Sequence, residues 1–271
     1  MTLIVSLHIP DGIILAGDSL ATMMQEIQIE GEVEVDCPQC GHKHVVKHTV
    51  PYPAPSTTFS YAQKIFPFLD KYGIGTFGAG MLAGKSIYFA IREFEATLKG
   101  GVHKQKTKNV EDIANLVGNH LHRLLDKQLT LEGKKLDEIP DNGFVLGVQV
   151  VGYGTDGPRI YEAQVGKQVR IIEPIGRDRH GCAVSGQMDV PQAIWGLGKR
   201  NPQQKAQYGN FSVQDAIEYA KFLIRATASH QQFSSQMPNV GGDIDIALIT
   251  PFEGFKWIQQ KPLSKLLGSS N

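Results

Sequence analysis

The sequence has no excess of either charge: 27 Lys and Arg stand against 27 Asp and Glu over 271 residues. A protein that grips a phosphate backbone carries a basic excess, and adhesion to an anionic membrane needs one too. Neither nucleic acid nor a lipid surface is therefore an expected partner. Long apolar runs are missing as well, none approaching the roughly 18 residues of a membrane-spanning helix. Cysteine is scarce. The three present are too few, and odd in number, for a disulfide framework. The opening Met1-Thr2-Leu3-Ile4-Val5-Ser6-Leu7 has no basic residue ahead of its apolar stretch, so it does not read as a secretory signal. These absences together predict a cytoplasmic protein. What remains, 41% hydrophobic residues and 29 glycines, is the composition of a folded core. With roughly 150 residues to a domain, the length allows two small domains or one large one with additions.

The apolar stretches 3–9 and 13–17 flank Pro10-Asp11-Gly12, a turn sequence, and predict an opening hairpin. Residues 26–35 alternate apolar and charged side chains, the period of a strand with one wet face. Further strands are expected at 72–77, 143–153, 158–165, 168–173, 181–186, 244–250 and 255–260. Helical spacing marks 81–98, 110–128 behind an Asn109 cap, 189–198, and 212–230 behind a Ser212/Asp215 capping box. Strands and helices come in batches, which favours antiparallel sheets over parallel βαβ units. The expected class is α+β, a layered domain of antiparallel sheets and helix pairs.

Thr2 is the first candidate for chemistry. Removal of Met1 would leave it N-terminal, and its hydroxyl is a poor nucleophile alone. Its own α-amine, with a pKa of about 7.7–8.0, is partly neutral at physiological pH and can take the hydroxyl proton directly or through a water.

The residues around it carry a resemblance. Thr2-Leu3-Ile4-Val5-Ser6-Leu7, the Asp11-Gly12 turn and Ile14-Leu15-Ala16-Gly17-Asp18-Ser19-Leu20-Ala21-Thr22 resemble the opening of proteasome β-subunits and HslV-type peptidases. Gln63-Lys64-Ile65-Phe66 is similar to the family's lysine segment, and Phe77-Gly78-Ala79-Gly80-Met81-Leu82-Ala83 to its glycine-rich helix entry. Ala183-Val184-Ser185-Gly186 resembles the later Gly-Ser-Gly, and Val240-Gly241-Gly242-Asp243-Ile244 the final Gly-Gly and strand. The resemblance runs in order over most of the chain.

It implies a four-layer αββα sandwich of two antiparallel sheets between helix pairs, working as an N-terminal nucleophile hydrolase. Thr2 would be nucleophile and base. Lys64 would be the ammonium that favours its alkoxide-like state, with Asp18 holding that lysine. The Gly80 N–H would stabilise the oxyanion, Ser185 would position the amine, and the Thr22 backbone would pair with an extended substrate. Peptide or unfolded protein would be the substrate. A homo-oligomeric ring and an ATPase unfoldase would be the partners, and catalysis would need no cofactor. Between Thr22 and Lys64 lie 41 residues, more than the family pattern contains, which marks 26–58 as an inserted extended hairpin in one 1–271 domain.

The pattern departs at one place. The family carries an aspartate and, three positions on, a serine just before Gly-Gly, both supporting the threonine amine. Here those positions are Met237 and Val240. Ser234 and Ser235 are the hydroxyls that could take their place. The departure keeps a second reading open, an inactive ring-forming or zinc-stabilised scaffold of the same fold.

Two other motifs compete. Ala79-Gly80-Met81-Leu82-Ala83-Gly84-Lys85-Ser86 fits the loose P-loop pattern of an NTPase between a strand and a helix. Against it, no apolar run ending in Asp supplies a Mg²⁺ partner. Cys37-x2-Cys40-x3-His44-x3-His48 has the thiolate knuckle of a structural zinc site, with His42 a competing ligand. Cys182, in an apolar stretch, is expected to be buried, and the remaining histidines show no cluster.

Overall fold

The computed structural model describes residues 2–36, 42–99, 109–177, 179–235 and 237–262. The chain divides into two compact units, 22–59 and the remainder, residues 1–21 with 60–271. The larger unit is mixed α/β, with strands and helices numbered here in chain order.

Its first sheet runs β12 (Gly181–Gly186), β1 (Leu3–Ile9), β2 (Gly12–Asp18), β13 (Ile244–Thr250), β14 (Gly254–Gln259). Every neighbouring pair is antiparallel. The second runs β11 (Val169–Ile172), β10 (Gly157–Gly166), β9 (Phe144–Gly154), β6 (Tyr72–Gly78), β5 (Ile65–Phe68), again antiparallel throughout. Among the described residues the α-helices are α1 (Ile87–Lys99), α2 (Val110–Leu131), α3 (Asp189–Arg200) and α4 (Val213–Gln232). Among the described residues no helix is long and apolar enough to cross a membrane.

Both faces of β1 are buried, which is why its sequence is a near-continuous apolar run. Leu3, Val5 and Leu7 pack with Ala220, Leu223 and Ile224 of α4. Ile4, on the opposite face, joins Ile13, Leu15, Ile65, Phe77 and Val151, so one cluster draws on both sheets. A third cluster sets α1 and α2 against β9 and β10 through residues such as Ile91, Val117, Leu121, Val148 and Ala163. Each of these side chains larger than alanine, fully buried, contributes roughly 1.5–3 kcal/mol.

Several boundaries differ from expectation for identifiable reasons. The Ser212 box forms as predicted, with the Ser212 Oγ accepting from the Asp215 N–H and Asp215 accepting from the Ser212 N–H. Asn109 stands at the start of α2, but its side chain makes no cap there and instead accepts from Thr155 Oγ1 at 2.6 Å. The helix expected from 81 begins at Ile87, because residues 81–86 close a small hairpin, β7 (Met81–Leu82) and β8 (Lys85–Ser86). Strand β5, directly after Lys64, is too short for its periodicity to show.

The 22–59 unit consists of the long strands β3 (Ala21–Asp36) and β4 (Lys43–Phe59), paired as a two-stranded sheet. Strand β4 runs through Pro51, Pro53 and Pro55, which give no strand signal of their own. On β3, Ile27, Ile29, Val33 and Val35 alternate with Glu26, Glu30, Glu32 and Glu34 and so share one face. That face is exposed as well, because two strands alone have no second layer to cover it.

Candidate active site

Asp18 ends β2, and its carboxylate is the hub of the site. One oxygen accepts the Leu3 N–H at 3.0 Å and Lys64 Nζ at 2.9 Å. The other accepts the N–H of Leu20 at 3.2 Å and of Gly241 at 3.0 Å. All four lone-pair directions of the carboxylate are therefore used. Asp18, Lys64 and Thr2 are all buried.

Lys64 reaches Asp18 from the segment before β5, where the Thr76 N–H holds its carbonyl at 2.8 Å. Its ammonium also donates to the Leu20 carbonyl. Burial holds the lysine pKa below its ordinary value, against the opposing pull of the Asp18 charge and hydrogen bond. A second buried pair lies nearby. Lys261 binds Asp245 through both its ammonium and its N–H, and the Lys261 charge also lowers the Lys64 pKa.

Thr2 is fixed from the other edge of β1. The Gln187 N–H donates to its carbonyl at 2.9 Å. Gly186 has φ +95°, and a Cβ there would stand 1.8 Å from the Thr2 carbonyl oxygen. Only glycine fits. The preceding Ser185, 2% exposed, pairs in register with Ile4. Its hydroxyl donates to Glu162 and accepts from Gln149 Nε2.

The Ser19 hydroxyl donates to the Ser60 carbonyl at 2.7 Å, and the Ala62 N–H donates to the Ser19 carbonyl at 2.9 Å. These bonds close the larger unit across the point where 22–59 departs, which keeps Lys64 beside Asp18 despite the long insertion.

Thus Lys64 and the Leu3 N–H meet on the Asp18 carboxylate, one residue along from Thr2, and Ser185 lies on the strand paired with β1. Gly80 is exposed between β6 and β7, with nothing within 4 Å of where its Cβ would be. That leaves open approach to its backbone. Thr22 falls in the 22–59 unit.

The positions where the sequence departs from the resemblance have partners of their own. Val240 is buried in the core beneath α4, and its N–H is taken by Gln231 at 3.0 Å. Ser234 closes the end of α4, its hydroxyl donating to the Gln231 carbonyl. The sequence does not single out Glu162, Gln149, Asp245 or Lys261. The Gly241-Gly242 match is the only sequence signal for the Gly241 bond to Asp18.

The P-loop candidate takes a different form. Leu82 pairs with Lys85 across Ala83 and Gly84, which hold φ of +48° and +76°. Such a two-residue hairpin has no loop wide enough to wrap a phosphate. Its Ser86 hydroxyl accepts the Phe89 N–H at the start of α1, and Lys85 pairs with Glu93.

Cys37 and Cys40 lie outside the described residues, as does the side chain of His44. Among the described residues no three His, Cys, Asp or Glu gather into a metal-binding group. His48 is exposed on β4, four residues beyond His44. Of Cys37, Cys40, His44 and His48, only His48 has a described side chain.

Cys182 lines a concavity with Trp195, Tyr208 and Tyr219 toward the far end of β12. Burial pushes its thiol pKa up, so it is not a reactive nucleophile. His8 and His180, which showed no grouping in sequence, have their rings 5.0 Å apart.

No known protein-family model matches this chain, and no curated protein matches it.

Proposed function

We propose that this protein is a threonine peptidase of the proteasome type, with Thr2 as nucleophile once Met1 is removed. The observation that carries the reading is the shared Asp18 oxygen, which binds both Lys64 Nζ and the peptide N–H immediately after Thr2. That bond fixes the predicted nucleophile and the predicted ammonium to one anchor. The amine would take the hydroxyl proton as Thr2 attacks the peptide carbonyl, and the leaving amine would receive it. Water would then hydrolyse the resulting ester and restore the free hydroxyl. Lys64 would stabilise the developing alkoxide, and the Gly80 N–H the tetrahedral oxyanion.

The proposal extends to a four-layer αββα sandwich and to homo-oligomeric rings in the cytoplasm, fed by an ATPase unfoldase. Extended peptide or unfolded protein would add as a strand against the backbone of Thr22. A structural zinc would be held by Cys37, Cys40, His44 and His48, with His42 as a competing ligand. A second reading, an inactive scaffold of the same fold, draws on one observation, the apolar burial of Val240 where the family has a serine.

Cleavage of a fluorogenic peptide library separates the two. Activity in the wild type that Thr2→Ala abolishes supports the peptidase. No cleavage by correctly processed, assembled protein supports the scaffold.

A further inference from the structure

The departure at Met237 and Val240 leaves the Thr2 amine without its expected carboxylate, and the buried groups around Ser185 supply another. Residues two apart on a strand share a face, so Thr2 looks the same way as Ile4. Ser185 is the cross-strand partner of Ile4, which places it diagonally across from Thr2. Diagonal neighbours on one face are about 7–8 Å apart at the backbone, closer between side chains.

A serine hydroxyl has one donor and two acceptor lone pairs. In Ser185 the donor goes to Glu162, and one acceptor receives Gln149 Nε2 at 2.6 Å. What remains is a single acceptor. The partners are themselves fixed. Gln149 Oε1 accepts from the Ser6 hydroxyl at 2.6 Å, and Glu162 accepts from Gln164 Nε2 at 2.7 Å. Glu162 comes from β10 in the other sheet, directly opposite Gln149 of β9, so the carboxylate reaches Ser185 across the space between the sheets.

We infer that Glu162 is a positioning residue for the Thr2 amine, acting through Ser185 in the role left vacant at Met237 and Val240. The inference rests on the Thr2 peptidase reading. With its donor committed to Glu162, Ser185 can only accept from the amine, which turns the nitrogen lone pair toward the threonine's own hydroxyl. The Glu162 charge strengthens that acceptor and favours the ammonium over the free amine. Among the described residues, charged groups around this end of β1 include Asp18 from β2 and Lys64 ahead of β5, Asp245 of β13 and Lys261 behind the lysine, and Asp189 of α3, which accepts from the side chain of Gln187.

The test is the rate at which a peptide epoxyketone adds to Thr2, followed by intact mass across pH. The variants are Glu162→Gln, Ser185→Ala, the two combined, and Glu162→Asp. Glu162→Gln should slow labelling about tenfold and move the acidic limb of the profile to lower pH by about half a unit, since the ammonium loses its counter-charge. Its thermal midpoint should stay near that of the wild type. Adding Glu162→Gln to Ser185→Ala should slow labelling no further, because the carboxylate positions the amine only through that hydroxyl. Glu162→Asp keeps the charge and should restore the wild-type limb with part of the rate.

A Glu162→Gln variant with wild-type rate and profile overturns the proposal. So do additive losses in the double variant with no change in the acidic limb. If wild-type protein takes no label at all, the Thr2 reading itself falls, and this proposal with it.

Discussion

Lys64 Nζ lies 2.9 Å from Asp18 Oδ1, both residues are buried, and the same oxygen accepts the N–H of Leu3. The pair therefore ties the segment before β5 to the first peptide link of β1. Removing one partner of a buried ion pair leaves an uncompensated charge at a cost of about 3–5 kcal/mol. Asp18→Asn is expected to show a loss of that order in urea unfolding and to slow Thr2 chemistry about a hundredfold or more. An Asp18→Asn protein with wild-type stability and rate would mean the pair is incidental.

A pH dependence of the proposed activity follows from the same lysine. Burial keeps its pKa below 10.5 in the folded protein, with Asp18 opposing and Lys261 reinforcing the shift. An activity that needs the ammonium therefore falls on the alkaline side at a lower pH than an exposed lysine would give. Asp18→Asn removes a group that raises the pKa, so the alkaline limb should move further down. Lys261→Met removes a neighbouring cation that lowers it, so the limb should move up. Labelling rates measured from neutral to alkaline pH check both signs. Limbs that do not separate would remove Lys64 from the chemistry.

Two glycines should behave in opposite ways. Gly186→Ala places a methyl group against the Thr2 carbonyl at a φ of +95°. Backbone strain of that kind alone costs about 1–3 kcal/mol, and the clash adds to it, so stability and activity should fall together. Gly80→Ala meets nothing within 4 Å and should stay within about 0.5 kcal/mol of wild type. If its N–H faces the oxyanion, the added methyl should impair turnover alone. Thermal melts beside peptide cleavage separate the two cases.

The zinc proposal carries its own prediction. Elemental analysis of purified protein should find one zinc per chain, lost in Cys37→Ser and reduced in His48→Ala. Zinc retained in Cys37→Ser would place the metal elsewhere, and its absence from the wild type would end the zinc proposal.

How much of this was legible in the sequence varied with the range of the interaction involved. The opening hairpin was readable because the paired apolar runs and the Pro10-Asp11-Gly12 turn are local, and the Ser212/Asp215 box spans three residues. Asp18 and Lys64 stand 46 positions apart, and only the ordered resemblance brought them together. The return strand of the inserted hairpin, β4, carried no pattern of its own because Pro51, Pro53 and Pro55 argue against strand pairing, yet both strands of a two-stranded sheet are edge strands, where proline is tolerated. Glu162 was unreadable for another reason. It occupies an alternating strand like any half-exposed glutamate, and only the stacking of one sheet on the other turns it toward Ser185. Asp245 and Lys261 likewise meet only because β14 returns antiparallel beside β13.

The central claim is that Thr2 becomes a free N-terminal nucleophile. Intact mass of the purified protein, with and without a threonine-selective electrophile, tests it most directly. The account predicts loss of one methionine mass, and then one added label per chain that Thr2→Ala prevents. A chain that retains Met1, or a processed chain that takes no label at Thr2, would contradict it.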